Sequence, residues 1–305
     1  MLDSSMRMLL TGASGLLGKA IIELSPAHVS IGAISRNEQN PAKENIVNFQ
    51  ADITDELSVT NIFDSFSPDV VIHAAAEGNV DFVESNREVA KLINVDASRI
   101  LAENAVKSGA KLIFISSNAV FGNQSTPYSE SDLPEPINYY GQLKLEAEKF
   151  VLDIAERNLV VRPILMYGWS HPHSRSNPAQ TWINSLRNKE SISVVTDVSS
   201  QPLSVYDCAR FLLQSALAEK QGLVHISGKE HVTLNEFAHE VAKIFSLDTS
   251  LIRESKLSDF KSLAPRPFDT KYSLDKLESE FNFTPQSLAA GLLEMKRIEG
   301  MTIVC

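Results

Sequence analysis

A glycine-spaced loop near the N-terminus constrains the fold more than any other feature of this sequence. Gly12, Gly15 and Gly18 form a G-x-x-G-x-x-G spacing between the aliphatic run Arg7–Leu10 and the amphipathic stretch Leu16–Leu24. Between a strand and a helix, such glycines permit a tight turn, close approach to a pyrophosphate and close packing of the helix. The helix N-terminus adds free N–H groups and positive potential. The loop therefore predicts the first βα unit of a dinucleotide-binding sheet.

Short aliphatic runs alternate with amphipathic stretches through the first half of the chain. The predicted strands are Arg7–Leu10, Val29–Ile34, Ile46–Phe49, Val70–His73, Leu112–Ser116 and Leu159–Arg162. The predicted helices are Leu16–Leu24, Glu56–Phe66, Glu88–Ser108 and Tyr140–Glu156. This alternation is typical of a parallel sheet with crossover helices, and continuous apolar strands fit a sheet buried on both faces. We predict an α/β fold, a Rossmann-type doubly wound parallel sheet with a smaller C-terminal substrate-binding lid.

The pattern changes after Arg162, where prolines and polar residues indicate irregular connections. The later predicted elements are the helix Gln180–Arg187, the strand Ile192–Val195, the helix Val205–Ala218, the strand Leu223–Ile226 and a mostly helical segment at residues 233–305, interrupted by Pro265 and Pro267. In open sheets the ligand binds at the carboxyl ends of the strands. We predict a nucleotide-binding domain at residues 1–167, completed by about residues 202–228, and a lid at residues 168–201 and 229–305.

Composition disfavours several classes of protein. The 305-residue chain has 28 Lys and Arg against 38 Asp and Glu, a formal net charge of −10, which argues against a nucleic-acid partner. No apolar run reaches the roughly 20 residues of a membrane helix. Because only Cys208 and Cys305 occur and Asp3 lies where a signal peptide would be basic, we predict a cytoplasmic protein. We predict that His171 and His173 do not bind a metal ion. A homodimer is one option for the assembly of the chain.

The second predicted strand ends at Ser35-Arg36, where a site for NAD usually has an acidic residue that binds the ribose hydroxyls. A hydroxyl and a guanidinium suit a 2′-phosphate instead. We therefore predict NADP(H) as the cofactor, with NAD(H) as a second option. The alternative interpretation of Arg36 is a solvated surface arginine.

A serine, a tyrosine and a lysine form a second motif. Ser117 follows the fifth predicted strand, and Tyr140 and Lys144 lie on one face of the next helix. An ammonium beside a phenol lowers the pKa of the phenol and makes it a usable general acid or base. A hydroxyl at the strand end can hold a reacting carbonyl. Alone, a Y-x-x-x-K spacing is common on helix surfaces, but after a glycine-rich phosphate loop it indicates a catalytic site.

Together these motifs resemble the extended short-chain dehydrogenase/reductase superfamily. Other passages similar to that superfamily are Asp52-Ile53, His73-Ala74-Ala75-Ala76 and Asn94-Val95-Asp96. Within it the chain most resembles the dTDP-4-dehydrorhamnose reductase branch. The passages that carry this closer resemblance are Pro127–Glu130, Pro136–Gly141, Gln201–Ser204 and Arg266–Asp269. The resemblance covers nearly the whole chain.

The resemblance implies an oxidoreductase that uses NADPH to reduce a nucleotide-linked 4-keto-6-deoxysugar. Tyr140 would protonate the sugar oxygen, Lys144 would bind the nicotinamide ribose, and Ser117 would orient the carbonyl. The predicted cofactor-binding residues are Gly12, Ser14, Gly15, Leu16, Leu17, Ser35, Arg36, Asp52, Ile53, Ala74, Ala75, Ala76, Asn94, Tyr140, Lys144 and Pro163. The predicted substrate-binding residues are Asn118, Leu165 and Arg266.

Two departures from the branch affect the predicted substrate. Branch members usually read Thr-Asp-Tyr-Val-Phe where this chain has Ser117–Phe121. They also usually have a tryptophan in the motif that is Arg162–Tyr167 here. Both departures alter the predicted sugar pocket more than the predicted reductase chemistry.

The same branch includes an NADP-binding regulatory subunit of methionine adenosyltransferase. This chain resembles it at Gly15–Gly18, His73–Glu77 and His225–Gly228. A regulatory subunit with little or no catalysis is therefore the alternative function. A third option, an epimerase or dehydratase on the same scaffold, is disfavoured. Dehydratases of this fold generally have an acidic pair beside the serine, which Asn118-Ala119 lacks, and epimerases usually have an acidic residue where this chain has Ser35-Arg36.

Overall fold

The computed structural model describes residues 6–36, 43–171 and 176–302. Its strands are β1 (Arg7–Thr11), β2 (Ser30–Ser35), β3 (Ile46–Gln50), β4 (Val70–His73), β5 (Lys111–Ile115), β6 (Leu159–Pro163), β7 (Met166–Tyr167), β8 (Ile192–Val195), β9 (Ser199–Ser200), β10 (Leu203–Ser204), β11 (Gly222–Ile226), β12 (Val232–Thr233) and β13 (Ile252–Ser255). Its helices are α1 (Leu16–Leu24), α2 (Glu56–Phe66), α3 (Val80–Ser85), α4 (Arg87–Lys91), α5 (Ala97–Ser108), α6 (Tyr139–Ile154), α7 (Pro178–Arg187), α8 (Val205–Leu217), α9 (Leu234–Phe245), α10 (Asp275–Ser279) and α11 (Leu288–Thr302). A π-helical turn, Leu92–Asp96, joins α4 to α5.

Seven parallel strands form the central sheet in the order β11-β6-β5-β4-β1-β2-β3. Successive side chains of a strand point to opposite faces. In β1, accordingly, Met8 and Leu10 pack in one hydrophobic cluster and Leu9 packs in the other. Both faces of the sheet are covered, as a parallel sheet requires. The predicted α/β, doubly wound architecture is confirmed.

The strand order reverses at β1, which lies between β2 and β4. The connections from β1 and from β4 therefore leave toward opposite sides of the sheet, and a crevice opens at the carboxyl ends of these strands. Ligands of open α/β sheets bind at such a switch point. The predicted helices Leu16–Leu24 and Glu56–Phe66 have the same bounds in the structure.

The C-terminal part of the chain is only partly as predicted. Gly222–Ile226 adds the edge strand β11 beside β6, and α8 packs against α1. The mostly helical prediction for residues 233–305 is wrong for residues 246–274, where β13 pairs in parallel with β8. That strand depends on a partner some 60 residues earlier, which local periodicity does not reveal. Within the described residues, no helix is both long and apolar enough to cross a membrane.

Candidate functional site

The glycine loop folds tightly against the loop that follows β4. Gly12 has φ +70°, which glycine adopts without strain, and the Gly15 N–H donates to the Gly12 carbonyl at 2.9 Å. A Cβ on Gly12 would lie 2.8 Å from the backbone nitrogen of Ala75, too close for any other residue. Gly15 is the N-cap of α1, and no side chain in the described part of the chain caps the first turn of that helix. The first N–H groups of α1 are therefore available to an anion.

A cavity of about 330 Å³ opens at this point, at the carboxyl ends of β1, β2, β3 and β4. Its walls contain predicted cofactor-binding residues from all four connections, namely Gly12, Ser14, Gly15, Ser35, Arg36, Asp52, Ile53, Ala74, Ala75 and Ala76. Four further residues complete the lining: Ile34, Ala51, Glu77 and Ile93. Ile34 and Ala51 adjoin predicted residues along the chain. No sequence signal marked Ile93, which the π-helical turn brings to the cavity.

Other predicted cofactor residues lie outside the cavity wall. The side chains of Leu16 and Leu17 pack in the hydrophobic core, so only their backbone could meet a ligand. Pro163 ends β6 and pairs with Ile226. Asn94 is buried, accepts a hydrogen bond from the Glu77 N–H at 2.9 Å and donates to the Glu77 carbonyl at 3.0 Å. In this structure Asn94 therefore holds the cavity wall.

Arg36 is exposed at the end of β2, beside a second opening of about 460 Å³. Gln50, Ala51, Asp52 and Ser58 complete the lining of this opening. Gln50 donates from Nε2 to the Arg36 carbonyl at 3.1 Å. The Thr54 N–H, with a smaller contribution from Arg36, holds the pKa of the Asp52 carboxyl below its usual value. The opening thus places a guanidinium and a carboxylate next to each other at the rim of the cavity.

Gly141 sets the position of α6 against the end of β5. Asn138 caps α6 by accepting from the Gly141 N–H at 2.9 Å. A Cβ on Gly141 would collide with the carbonyl oxygen of Ala119. Glycine therefore lets α6 pack directly on the 3₁₀ turn Asn118–Val120. This packing brings the start of α6, with Tyr140, to the carboxyl end of β5, which Ser117 follows.

Ser117 and Tyr140 are both half-buried at this edge. The Ser117 Oγ accepts from the Ala119 N–H at 3.1 Å and donates to Asn118 Oδ1 at 3.5 Å. Tyr140 packs against a small apolar cluster that includes Val83 and Leu143. The predicted substrate residue Asn118 thus lies in the turn next to Ser117, whereas Leu165 packs against the hydrophobic core.

Lys144 is buried, with 2% of its surface exposed. Its Nζ donates to the Ile115 carbonyl at 2.9 Å and lies 4.7 Å from the centroid of the Phe114 ring. Burial lowers the pKa of Lys144 to about 8, while the Glu148 carboxylate opposes this shift. Glu148 in turn forms a buried ion pair with Arg162, with an N–O distance of 2.6 Å. A lysine with a lowered pKa thus lies at the end of β5, one helical turn after Tyr140.

Arg266, predicted to contact substrate, is ion-paired in the structure. Its Nη2 lies 2.9 Å from Oδ2 of Asp81 on α3. Oδ1 of Asp81 accepts from Ser262 Oγ and from the Ala264 N–H, each at 3.1 Å. Hydrogen bonding to Arg266 lowers the pKa of Asp81 to about 2. We call residues 262–266 the strap, because Asp81 ties them to α3.

The strap is also tied to α6. Asn138 Nδ2 donates to the Pro265 carbonyl at 2.9 Å, and the Tyr139 N–H donates to Glu84 of α3 at 3.3 Å. The strap therefore joins α3 to the end of α6 that carries Tyr140. Within the described ranges, no group of three or more His, Cys, Asp or Glu side chains could hold a metal ion, and His173 lies outside those ranges.

Almost the whole chain matches one known protein family. Residues 6–298 match the family described as the RmlD substrate binding domain. The chain belongs to this family. The resemblance to the dTDP-4-dehydrorhamnose reductase branch of the short-chain dehydrogenase/reductase superfamily is thereby confirmed.

The chain is similar to proteins with two different names. It is 34% identical over 280 residues to methionine adenosyltransferase 2 subunit beta of Xenopus laevis, which covers 90% of this chain and 82% of that protein. It is 28% identical over 304 residues to dTDP-4-dehydrorhamnose reductase of Aggregatibacter actinomycetemcomitans, covering 95% and 98%. The crystal structure of the Bacillus anthracis dTDP-4-dehydrorhamnose reductase in complex with NADP is similar with a TM-score of 0.82 and 28% identity, covering 96% and 99%.

Proposed function

We propose that this protein is an NADP(H)-dependent oxidoreductase that reduces a nucleotide-linked 4-keto-6-deoxysugar. One juxtaposition carries the proposal: the cavity lies at the carboxyl ends of β1 to β4, and Ser117, Tyr140 and Lys144, which do not line it, lie at the carboxyl end of the neighbouring strand β5. The family relatives named dTDP-4-dehydrorhamnose reductase, one of them in complex with NADP, support the same chemistry.

The residues of the cavity fit a dinucleotide. The free N–H groups at the start of α1 would bind the pyrophosphate, and Gly15 leaves room for it, since only the Gly12 carbonyl lies near the place of a Cβ. Arg36 at the second opening would bind the 2′-phosphate of NADP(H). Asp52, which keeps its negative charge at neutral pH, would accept a hydrogen bond at the adenosine end. When bound, NADPH supplies the hydride that reaches the keto carbon.

Side chains of α6 and of the end of β5 would orient the keto oxygen and transfer a proton to it. Ser117 Oγ, which donates only a long hydrogen bond in the structure, would donate to the keto oxygen and orient it. Tyr140 would give its hydroxyl proton to the same oxygen as charge develops there. Lys144 uses one N–H on the Ile115 carbonyl and keeps the others for a ribose and for the electrostatic support of the Tyr140 phenolate.

The lowered pKa of Lys144 predicts how activity depends on pH. The ammonium is the form that stabilises a phenolate, and it is present below a pKa of about 8 and lost as the pH rises through that value. We therefore expect kcat/KM for ketone reduction to fall above pH 8, by about tenfold per unit. The measurement is kcat/KM between pH 6 and 10. A profile that stays flat to pH 10 would contradict a role for the Lys144 charge.

Arg36→Asp is expected to reverse the cofactor preference. A charge-assisted hydrogen bond to a phosphate contributes about 1.5–3 kcal/mol, so its loss should raise the Kd for NADPH by roughly 10- to 100-fold. The Kd for NADH should fall or stay constant, because the new carboxylate can accept from ribose hydroxyls. Arg157→Asp, on an exposed arginine before β6, is the matched control for net charge. An unchanged ratio of the two Kd values would exclude Arg36 from 2′-phosphate recognition.

The decisive experiment is a panel of NADPH-oxidation assays. Its substrates are 4-keto-6-deoxysugars linked to dTDP, GDP, CDP and UDP, each with the wild type and with Tyr140→Phe. We expect oxidation with one nucleotide class and none with the variant. If the wild type oxidises NADPH with none of these substrates, the reductase function is wrong.

A second function has its own supporting observation. The 34% identity to methionine adenosyltransferase 2 subunit beta exceeds the 28% identity to the reductase. On this basis the protein would be an NADP-binding regulatory subunit with little or no catalysis. The combination of NADPH binding, no oxidation in the panel, and co-elution with a purified methionine adenosyltransferase catalytic subunit would favour this function.

A further inference from the structure

We propose that His73, Thr11, Ser98 and Asn94 are positioning residues, which hold the cavity-lining loop Ala75–Glu77 in the shape that the cofactor needs. They do so as a closed ring of hydrogen bonds, which are buried around His73 and part-buried where they reach the loop. The inference rests on the proposed function in one respect, namely that a nicotinamide dinucleotide occupies the cavity.

The first half of the ring runs from the loop to α5 through His73. The Ala75 N–H donates to Thr11 Oγ1 at 3.2 Å. Thr11 Oγ1 lies 2.7 Å from His73 Nδ1, and His73 Nε2 lies 2.9 Å from Ser98 Oγ. Thr11, His73 and Ser98 are each no more than 1% exposed. The loop is thereby linked to β1, β4 and α5.

The second half of the ring returns to the loop through the π-helical turn. Ser98 Oγ donates to the Asn94 carbonyl at 2.9 Å. The Asn94 side chain accepts from the Glu77 N–H at 2.9 Å and donates to the Glu77 carbonyl at 3.0 Å. Asn94 and Ile93 both belong to this turn, so the turn that holds the loop also supplies a wall of the cavity.

The donors and acceptors of the ring are compatible with one protonation state. Ser98 Oγ gives its proton to the Asn94 carbonyl, so it accepts from His73 Nε2–H. Thr11 Oγ1 accepts from Ala75 and has its own proton to give to His73 Nδ1. A neutral His73 with its proton on Nε2 therefore satisfies every member of the ring. Burial and the nearby Lys144 agree with this state, because they lower the pKa of His73 to about 3.

The ring acts through the loop and not on the ligand. Ala75 and Glu77 line the cavity, whereas Thr11, His73 and Ser98 do not. Residues 74–79 have no regular secondary structure, so no helix or strand ladder of their own holds their backbone. Holding such a segment at both ends before binding removes an ordering cost that would otherwise reduce the affinity.

The test compares two buried serines in helices. Ser98→Ala removes the ring hydroxyl, and Ser215→Ala is the same substitution on α8, outside the ring; both serines are 1% exposed. We expect Ser98→Ala to raise the Kd for NADPH and for NADH about tenfold each, since the loop contacts the part that both cofactors share. Ser215→Ala should leave both Kd values unchanged. Thr11→Val, which keeps the side-chain shape, is the second ring variant.

Amide hydrogen exchange of the ligand-free protein gives a readout that does not need a cofactor. Exchange at Ala75 and Glu77 should accelerate at least tenfold in Ser98→Ala and in Thr11→Val, and not in Ser215→Ala. If the wild type binds NADPH and neither ring variant differs from Ser215→Ala in Kd, the positioning role is wrong. If the wild type binds neither cofactor, the proposed function is wrong and the cofactor role of the ring with it, and accelerated exchange then shows that the ring itself exists.

Discussion

Tyr140→Phe is expected to lower kcat by about 10³-fold and to leave the Kd for NADPH within about twofold of the wild type. The substitution removes only the hydroxyl that would protonate the keto oxygen. The aromatic ring remains to pack with Val83 and Leu143, so the position of α6 should not change. The loss should therefore appear in kcat and not in cofactor binding or folding.

The measurement is single-turnover NADPH oxidation with the substrate that the panel selects, together with a fluorescence titration of NADPH. Tyr139→Phe is the matched control, because Tyr139 precedes Tyr140 on the same helix and packs in the same cluster. We expect near wild-type turnover for this control. Turnover of Tyr140→Phe at the wild-type rate would exclude Tyr140 as the acid.

Arg162→Met is expected to lower the free energy of unfolding by about 3–5 kcal/mol. Arg162 and Glu148 are 3% and 2% exposed, and two hydrogen bonds of 2.9 and 2.6 Å join them. Without the guanidinium, the Glu148 carboxylate would stay buried with no opposite charge in contact. Leaving one such charge unpaired costs more than the pair itself contributes.

The double variant Glu148→Leu/Arg162→Met separates the unpaired charge from lost packing. Because both charges are then gone, we expect most of the lost stability to return, measured by urea unfolding at pH 7. The double variant also removes the carboxylate that raises the pKa of Lys144. The descending limb of its pH profile should therefore move below pH 8. A double variant as unstable as Arg162→Met would show that packing dominates.

The parts of the site that depend on short segments could be predicted from the sequence. The Gly12–Gly18 loop between a strand and a helix implied the crevice, and Gly12 and Gly15 line the cavity there. Ser35 ends β2 and Arg36 follows it directly, so their place at the cavity follows from the strand alone. In each case the chemistry lies within a few residues of the element that positions it.

The parts that depend on contacts between distant segments could not be predicted. Asn94 stays a predicted cofactor residue, but the bond of its amide to the backbone of Glu77, 17 residues earlier, has no sequence signal. Arg266 likewise stays a predicted substrate residue, and its partner Asp81 lies 185 residues away on α3. The periodicity of one segment contains no information about such partners.

The ion pair of Arg266 with Asp81 would lower the net affinity of Arg266 for an anionic ligand. A phosphate that binds this guanidinium has to compete with a carboxylate that already accepts from the strap. The measured affinity would then be the difference between two pairings of one cation. Asp81→Asn would remove the competing carboxylate and so raise the affinity of Arg266 for a phosphate. The same substitution would weaken the connection between the strap and α3. Added salt would weaken the two pairings together, so binding at this end of the site would depend on ionic strength less than the charge of Arg266 suggests.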